Sequence, residues 1–254
     1  KAAWNASASL HSRGAEWDSL LEQAARPDFS VLDPELRETI RALGLEGKSA
    51  AQVGCNNARE LLSLASLKVI PSVGIDQSGA FLEQGRVLAK AAGLEPRLIE
   101  ADIYDLPDDV GTFDLVLVTI GVLNWMPDLG GFFRVIAGLL GPGGHLLVYE
   151  THPVMEMFDP ESDTPHEPAI SYFRTDPLKE EGLISYDGVD HGSGETGYWF
   201  IHTLGQIVTS CATAGMTITS LKEFGYSIRE PEYDVYEGRE AQIPMSYLLH
   251  ARKM

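Results

Sequence analysis

The sequence is poor in cysteine and has no long apolar run. Its 254 residues include two cysteines, Cys55 and Cys211, which are too few and too differently placed for a disulfide framework or a zinc site. No stretch reaches the roughly eighteen apolar residues of a membrane span, and the first residues lack the apolar centre of a signal peptide. We therefore expect no membrane association and a reducing, cytoplasmic location.

Basic residues are also scarce. The chain has 19 Lys and Arg against 37 Asp and Glu, which gives a formal net charge of −18. This charge repels phosphate backbones and excludes nucleic acids as partners. The acidic residues are concentrated in 151–197, where they form either a solvated surface or a region that attracts a cationic substrate.

The turn "GCNNAR" at 54–59 contains one glycine, Gly54, where dinucleotide-binding loops carry G-x-G-x-x-G. This absence disfavours a dinucleotide-dependent oxidoreductase. A second glycine cluster, "GPGG" at 141–144, follows a predicted helix and precedes a predicted strand. Its simplest role is to end that helix.

The middle of the chain alternates short β-rich runs with amphipathic runs of helical length. Strands are predicted at 49–54, 70–76, 96–102, 113–121 and 144–152, and helices at 58–68, 78–92 and 128–140. This alternation is typical of a mostly parallel sheet with helices on both faces. The segment 1–45 is predicted to form a helical cap.

The alternation stops after residue 152. The segment 153–197 is rich in proline and turn residues and is predicted to be an insertion. A helix at 205–215, a strand at 216–224 and a last strand at 244–253 follow. Because no helix separates the two strands, they must be antiparallel if they pair. We therefore predict one α/β domain over 1–254, made of the cap at 1–45, a cofactor-binding core at 46–152, the insertion, and a C-terminal part at 198–254.

Four candidate ligand-binding features follow successive predicted strands, at the sheet edge where open α/β folds bind ligands. The turn at Gly54 precedes a helix whose free N–H groups can hold an anion. Asp76 can accept hydrogen bonds from two ribose hydroxyls, or it can serve the start of the next helix. Asp102 and Ile103 can bind and cover an adenine ring, and Thr119–Gly121 end the fourth strand.

With these motifs in this order, the chain resembles the class I S-adenosylmethionine-dependent methyltransferases, specifically the small-molecule branch near the ubiquinone and menaquinone biosynthesis type. The resemblance covers about 40–150 and rests on "QVGCNNARELLSL", "VGIDQSGAFLEQGRVLA", "IEADIYDLP", "FDLVLVTIGVLNWMPD" and "LLGPGGHLLVYE". It implies a Rossmann-like three-layer sandwich with a seven-stranded, mostly parallel sheet of order 3-2-1-4-5-7-6 and one antiparallel strand. It also implies S-adenosylmethionine as cofactor and methyl transfer to an O, N or C atom of a small molecule by in-line displacement.

The resemblance also implies which residues bind the cofactor. They are Gln52, Gly54, Cys55, Asn56, Asp76, Gln77, Asp102, Ile103, Thr119, Ile120 and Gly121.

Three positions depart from the family pattern. Gln52 replaces the usual acid, and Asn56 and Ala58 replace the second and third glycines of the turn. Asn56 tolerates a left-handed backbone, and we expect Ala58 to lie already inside the helix. These departures keep open an alternative function, a non-catalytic cofactor-binding or scaffold protein on a relict methyltransferase fold.

The acceptor side is expected to form from the ends of the fourth and fifth strands, the insertion and the cap. His152, a base or hydrogen-bonding clamp near neutral pH, can equally be a residue that orients the start of the insertion. A metal site built from His152, His166 and His191 has no ligand spacing in its favour, so we expect no metal. A homodimer is left open. The candidates are, for catalysis, Glu150, His152 and His202; for substrate binding, Trp4, Asn124, Trp125 and Tyr198; and for a lid, Trp4, Asn5, His11, Arg13 and Trp17.

Overall fold

Nine strands lie in residues 1–184 and 192–254, the residues that the computed structural model describes. They are β1 (Ser49–Val53), β2 (Ile70–Asp76), β3 (Arg97–Glu100), β4 (Phe113–Thr119), β5 (Leu140–Thr151), β6 (Leu178–Gly182), β7 (Ser193–Trp199), β8 (Met216–Phe224) and β9 (Ser246–Lys253).

Seven of these strands form one sheet in the order β3-β2-β1-β4-β5-β9-β8. Strands β1 to β5 pair in parallel, whereas β9 is antiparallel to both β5 and β8. When β6 and β7 are left out of the numbering, this order becomes 3-2-1-4-5-7-6. The predicted topology and its single antiparallel strand are therefore confirmed.

The helices cover both faces of the sheet. They are α1 (Ala2–Ser7), α2 (Gly14–Ala24), α3 (Pro34–Ala42), α4 (Arg59–Ser63), α5 (Gly79–Ala92), α6 (Leu129–Leu139) and α7 (Leu204–Thr213). One apolar core lies around α6 and α7, and a second lies around α3 and α4. The three-layer prediction is thus confirmed. Within the two described stretches, no helix combines the length and apolarity needed to cross a bilayer.

Local capping explains where two of these helices begin. The Ser78 hydroxyl accepts a hydrogen bond from the N–H of Phe81 at 3.4 Å, and Gly93 closes α5 in the left-handed conformation. In front of α7, Thr203 and Gln206 bond to each other's backbone N–H groups as a capping box. Such caps satisfy N–H groups that the helix itself leaves unpaired.

Two local expectations were wrong, and one pair of strands was not predicted. Ala58 lies outside α4, which begins at Arg59. The "GPGG" segment belongs to the irregular first part of β5, because that strand begins at Leu140 and its register with β4 shifts there. The insertion contains an antiparallel pair, β6 and β7, that its turn-rich composition hid. The segment 185–191 between these strands lies outside the described residues.

Candidate functional site

The carboxyl ends of β1, β2 and β4 open into a cavity of about 1690 Å³. Nine of the eleven predicted cofactor residues line it, whereas Gln52 and Cys55 do not. The nine are Gly54, Asn56, Asp76, Gln77, Asp102, Ile103, Thr119, Ile120 and Gly121.

The turn after β1 is left-handed at every second residue. Gly54 has φ +65°, Asn56 +51° and Ala58 +60°. These are the three positions at which the related family carries glycine, so the backbone keeps the glycine conformation without two of the glycines. A left-handed alanine costs roughly 1–2 kcal/mol, and the fully buried methyl group of Ala58 packs in the core below the turn.

Asp76 holds this turn in place. Its Oδ2 accepts a hydrogen bond from the N–H of Asn56 at 2.7 Å, and its Oδ1 accepts one from the N–H of Ser78 at 2.8 Å. Burial raises the pKa of Asp76, and the backbone hydrogen bonds oppose that rise. Each carboxylate oxygen has a second lone pair. Asp76 therefore holds the N-cap residue of the next helix and also lines the cavity, so the two interpretations of this residue are compatible.

Gln52 lies beneath the turn. Its Oε1 accepts a hydrogen bond from the N–H of Leu61 at 2.9 Å, and its Nε2 donates to Thr119 Oγ1 at 2.9 Å. An ionised acid could accept from Leu61 but could not donate to Thr119, which explains why an amide suits this position. Gln52 does not line the cavity. Its contact with the cofactor therefore stays a prediction. Cys55 is likewise fully buried in the core.

Glu150 organises the loop after β4. Its carboxylate, 1% exposed, accepts hydrogen bonds from the N–H groups of Gly121, Val122 and Leu123, the last two at 2.8 and 3.1 Å. Burial raises its pKa to about 7, against the lowering effect of these hydrogen bonds. Glu150 does not line the cavity. Glu150 thus positions the backbone of this loop, and its catalytic role stays a prediction.

The two candidate catalytic histidines also lie outside the cavity lining. His152 Nδ1 accepts a hydrogen bond from the N–H of Val154 at 3.1 Å, and its Nε2 lies 3.0 Å from Glu223 Oε1. His202 Nε2 lies 2.8 Å from the carbonyl oxygen of Met126. The bond to Val154 favours the interpretation that His152 orients the start of the insertion.

Three tryptophans form an aromatic wall along the cavity. Trp125 meets Trp4 and Trp199 edge-on, with ring centroids 5.4 Å apart in both pairs. Trp4 and Trp125 are predicted substrate residues, whereas Trp199 was missed in favour of Tyr198. Because side chains alternate along β7, Trp199 lines the cavity and the 47% exposed Tyr198 does not.

Some of the other acceptor-side candidates line the cavity, and others form hydrogen bonds that hold neighbouring elements in place. His11, Arg13 and Trp17 line the cavity. Asn5 instead accepts a hydrogen bond from the Ser78 hydroxyl at 2.7 Å, which fixes the cap to the start of α5. Asn124 donates to Glu156 Oε1 at 3.2 Å and to the carbonyl oxygen of Phe200 at 3.1 Å, and it does not line the cavity.

Charged residues that the sequence analysis missed complete the lining. Glu60 pairs with Arg59 at 3.1 Å and with Arg229 at 2.9 Å. Burial raises the pKa of Glu60, but the two arginines and a backbone hydrogen bond outweigh it and lower the pKa to about 2. Glu156 and Glu230 also line the cavity. No local sequence pattern marks Arg229 or Glu230, because the fold brings them in from a loop far along the chain.

In residues 1–184 and 192–254, no group of three or more His, Cys, Asp or Glu side chains is placed to hold a metal ion. His191, part of the metal site considered above, lies outside these residues.

Comparison with known proteins agrees with this geometry. The profile of the family described as a methyltransferase domain matches residues 51–148. Over 84 residues the chain is 40% identical to a demethylmenaquinone methyltransferase of Thermus thermophilus, a segment that is 32% of this chain and 36% of that protein. The match thus spans about a third of this relative's length.

Solved structures extend the similarity to the whole fold. The CcbJ methyltransferase of Streptomyces caelestis superposes with a TM-score of 0.61 at 14% identity, over 100% of this chain and 98% of that chain. An S-adenosylmethionine-dependent methyltransferase of Clostridium acetobutylicum gives a TM-score of 0.61 at 13% identity, over 88% of this chain and 93% of that chain. Residues 51–148 therefore match the methyltransferase-domain family, and the chain has the fold of the S-adenosylmethionine-dependent methyltransferases, as its motifs predict.

Proposed function

We propose that this protein transfers a methyl group from S-adenosylmethionine to a small-molecule acceptor. The observation that carries the proposal is that the turn at Gly54, Asp76, Asp102 and the loop at Gly121 all line one cavity. These groups come from four different strand ends, and they offer the carboxylates and open backbone that an adenosine and an amino-acid moiety require.

The residues of the turn fit the amino-acid end of this cofactor. Asn57 lines the cavity, and its buried side-chain oxygen accepts no hydrogen bond from the described residues. A buried acceptor without a donor costs roughly 1–3 kcal/mol, and an ammonium group would supply the donor. At Gly121, which has φ +80°, the space that a Cβ would enter is open.

These residues have separate parts in the proposal. Asp76 would hold the ribose, Asp102 and Ile103 the adenine, and the turn at Gly54 to Asn57 the methionine end. When bound, S-adenosylmethionine supplies an electrophilic methyl group. The protein's own contribution is to align the acceptor with that group and to exclude water.

The relict scaffold is the second candidate function. Its basis was the loss of the acid and two glycines at Gln52, Asn56 and Ala58. However, Asn56 and Ala58 adopt the left-handed backbone that glycine would adopt, and Gln52 is hydrogen-bonded on both sides of its amide. These contacts favour a working turn over a decayed one.

Two experiments on the full chain test the proposal. Titration calorimetry with S-adenosylhomocysteine, with NAD⁺ as the control ligand, should show binding of the former alone. Incubation with methyl-labelled S-adenosylmethionine and a library of small acceptors should then yield a labelled product. Absence of S-adenosylhomocysteine binding rejects the proposal, and binding without any labelled product supports the scaffold function instead.

A cytoplasmic location and a homodimer belong to the same proposal. The charge of −18 and two buried free cysteines support a reducing compartment without nucleic-acid partners. Light scattering coupled to gel filtration would measure the assembly state, and a monomer would remove the dimer from the proposal.

A further inference from the structure

One set of residues in the cavity lining is acidic and aromatic. Its carboxylates come from Glu156 in the insertion and from Glu230 and Glu232 in the loop before β9. Its aromatic lining includes Trp125 and Trp199. We call this part of the cavity the acceptor half.

Glu230 is a carboxylate of the acceptor half that has a hydrogen-bond donor but no basic partner in 1–184 and 192–254. The Thr151 hydroxyl, at the end of β5, donates to its Oε2. Among the residues that the structure describes, no Lys, Arg or His side chain lies within 4.0 Å of its carboxylate. The neighbouring Arg229 instead pairs with Glu60 at 2.9 Å. A partly buried carboxylate without a cation in contact has lost some of its hydration without gaining a paired charge, so Glu230 is suited to a cationic ligand.

Burial and the neighbouring carboxylates both raise the pKa of Glu230. Burial raises its pKa to about 8, the Thr151 hydroxyl opposes that rise, and the nearby carboxylates of Glu232, Glu150 and Glu156 add to it. A carboxyl group with this pKa is mostly protonated at pH 7 in the empty cavity, and a bound ammonium group favours its carboxylate form, which can then accept a proton as a general base.

The aromatic wall favours a cation as well. Trp199 Nε1 donates a hydrogen bond to Glu156 Oε2 at 2.7 Å, and the Trp199 ring packs edge-on against Trp125. The faces of indole rings attract cations through the ring quadrupole, by roughly 0.5–2 kcal/mol. A cavity wall of tryptophan rings beside carboxylates is a chemical match for an organic ammonium group.

We propose that the acceptor is a small molecule with a basic amine, that the ammonium form binds between Glu230 and the tryptophan wall, and that Glu230 takes its proton before methylation. This inference rests on the proposed function and adds to it a substrate class and an acceptor atom, nitrogen.

The step balances in atoms and charge. The ammonium group gives one proton to the Glu230 carboxylate and becomes a neutral amine with a free electron pair. That pair forms the new bond from nitrogen to the methyl carbon, while the bond from sulfur to carbon breaks and its electron pair stays on sulfur. The products are an N-methylammonium ion, a neutral thioether and a protonated Glu230.

The experiment compares arylalkylamines with two matched sets of molecules, the corresponding alcohols and the N-acetylated amines. Calorimetry on the protein saturated with S-adenosylhomocysteine should show at least one amine that binds ten-fold or more tighter than its alcohol and its acetamide. Labelled methyl transfer should occur on the nitrogen of that amine. Equal binding within every set overturns the inference.

Two variants then test Glu230. Glu230→Gln should weaken amine binding at least ten-fold and lower kcat/KM for the amine at pH 7. Its activity should partly return above the pKa of the free amine, where the acceptor is already neutral. Glu240→Gln, an exposed change in the same loop, should leave all three quantities unchanged. Equal effects of the two variants, or no recovery at high pH, overturn the assignment of Glu230.

S-adenosylhomocysteine binding separates this inference from the function on which it rests. If both variants and the parent chain bind S-adenosylhomocysteine but no amine is preferred, only the amine inference fails. If the parent chain does not bind S-adenosylhomocysteine, the proposed function itself fails.

Discussion

The two halves of the cavity are built in different ways. The cofactor half, formed by the loops after β1, β2 and β4, is held by hydrogen bonds from backbone N–H groups to buried side chains, chiefly Asp76, Gln52 and Glu150. The acceptor half is lined by the side chains of Trp125 and Trp199 and by carboxylates from the insertion and the loop before β9. In the first half the backbone conformation defines the site, and in the second half individual side chains define it.

This difference has a functional meaning. A backbone cradle tolerates changes of side chain as long as the φ angles are kept, as Asn56 and Ala58 illustrate. An acceptor half made of side chains from distant segments can change its chemistry one residue at a time. We therefore expect substitutions in the cofactor half to affect folding and cofactor binding, and substitutions in the acceptor half to affect acceptor choice.

The largest effect is expected for Gly54→Ala. The new Cβ would lie 2.5 Å from Val122 Cγ2, and φ is +65° at this position, so strain and overpacking should together lower the free energy of unfolding by about 3 kcal/mol. Urea unfolding measures this change. Gly138→Ala makes the same substitution at an exposed site inside α6 with nothing within 4 Å, and it should stabilise by roughly 0.5–1 kcal/mol. Similar outcomes for the two variants would contradict the tight packing of Gly54 on the loop after β4.

The next largest effect is expected for Asp76→Ala. This change removes the acceptor of two backbone hydrogen bonds and of the proposed ribose contacts, so S-adenosylhomocysteine affinity should fall at least 30-fold, or about 2 kcal/mol. Calorimetry on a variant with an intact circular dichroism spectrum measures it. Asp108→Ala, an exposed acid on the loop after β3, is the control. An unchanged affinity in Asp76→Ala would remove the ribose assignment.

A smaller effect is expected in acid. The pKa of Glu60 is about 2 in the folded protein and about 4.5 in the unfolded chain, so its stabilising contribution is present above pH 4.5 and disappears as the pH falls toward 2. Between pH 5 and 3 the parent chain should lose roughly 1–2 kcal/mol more stability than Glu60→Gln, after allowance for screening of the partly exposed Arg59 and Arg229. Parallel pH profiles of the two proteins in urea unfolding would contradict this ion pair.

The smallest effect is expected for Trp199→Phe. A smaller aromatic ring replaces the indole, the hydrogen bond from the indole to Glu156 is lost, and stability should fall by about 1 kcal/mol. Because Trp199 belongs to the acceptor half, S-adenosylhomocysteine affinity should stay within twofold of the parent value. A larger loss of that affinity would show that the two halves do not act separately.

Most of the fold was predictable from sequence, because strand and helix periodicity, helix caps and the order of the motifs are local properties. The failures were local as well. Ala58 was expected inside the helix, and alanine does favour helices, yet the turn requires a left-handed residue there. The antiparallel pair β6 and β7 was missed because proline and turn residues obscure short strands on an exposed surface.

The candidate site was predictable only in part. Nine of the eleven predicted cofactor residues line the cavity, because motif position along the chain places them at strand ends. None of Glu150, His152 and His202 lines it, since the direction of a side chain at a strand end depends on which neighbours accept or donate its hydrogen bonds.

The sequence by itself therefore determined most of the strands, the helices and the loops that form the cofactor half, since these follow from patterns within a few residues, whereas the order of the strands in the sheet followed from the resemblance of the motifs to a family. Only the tertiary structure decided that Gln52 and Glu150 support the site from beneath, and that Glu230, Glu156 and Trp199 meet in one cavity. The physical reason is that these contacts join residues far apart along the chain, and no local pattern records the hydrogen bonds and burial that bring them together.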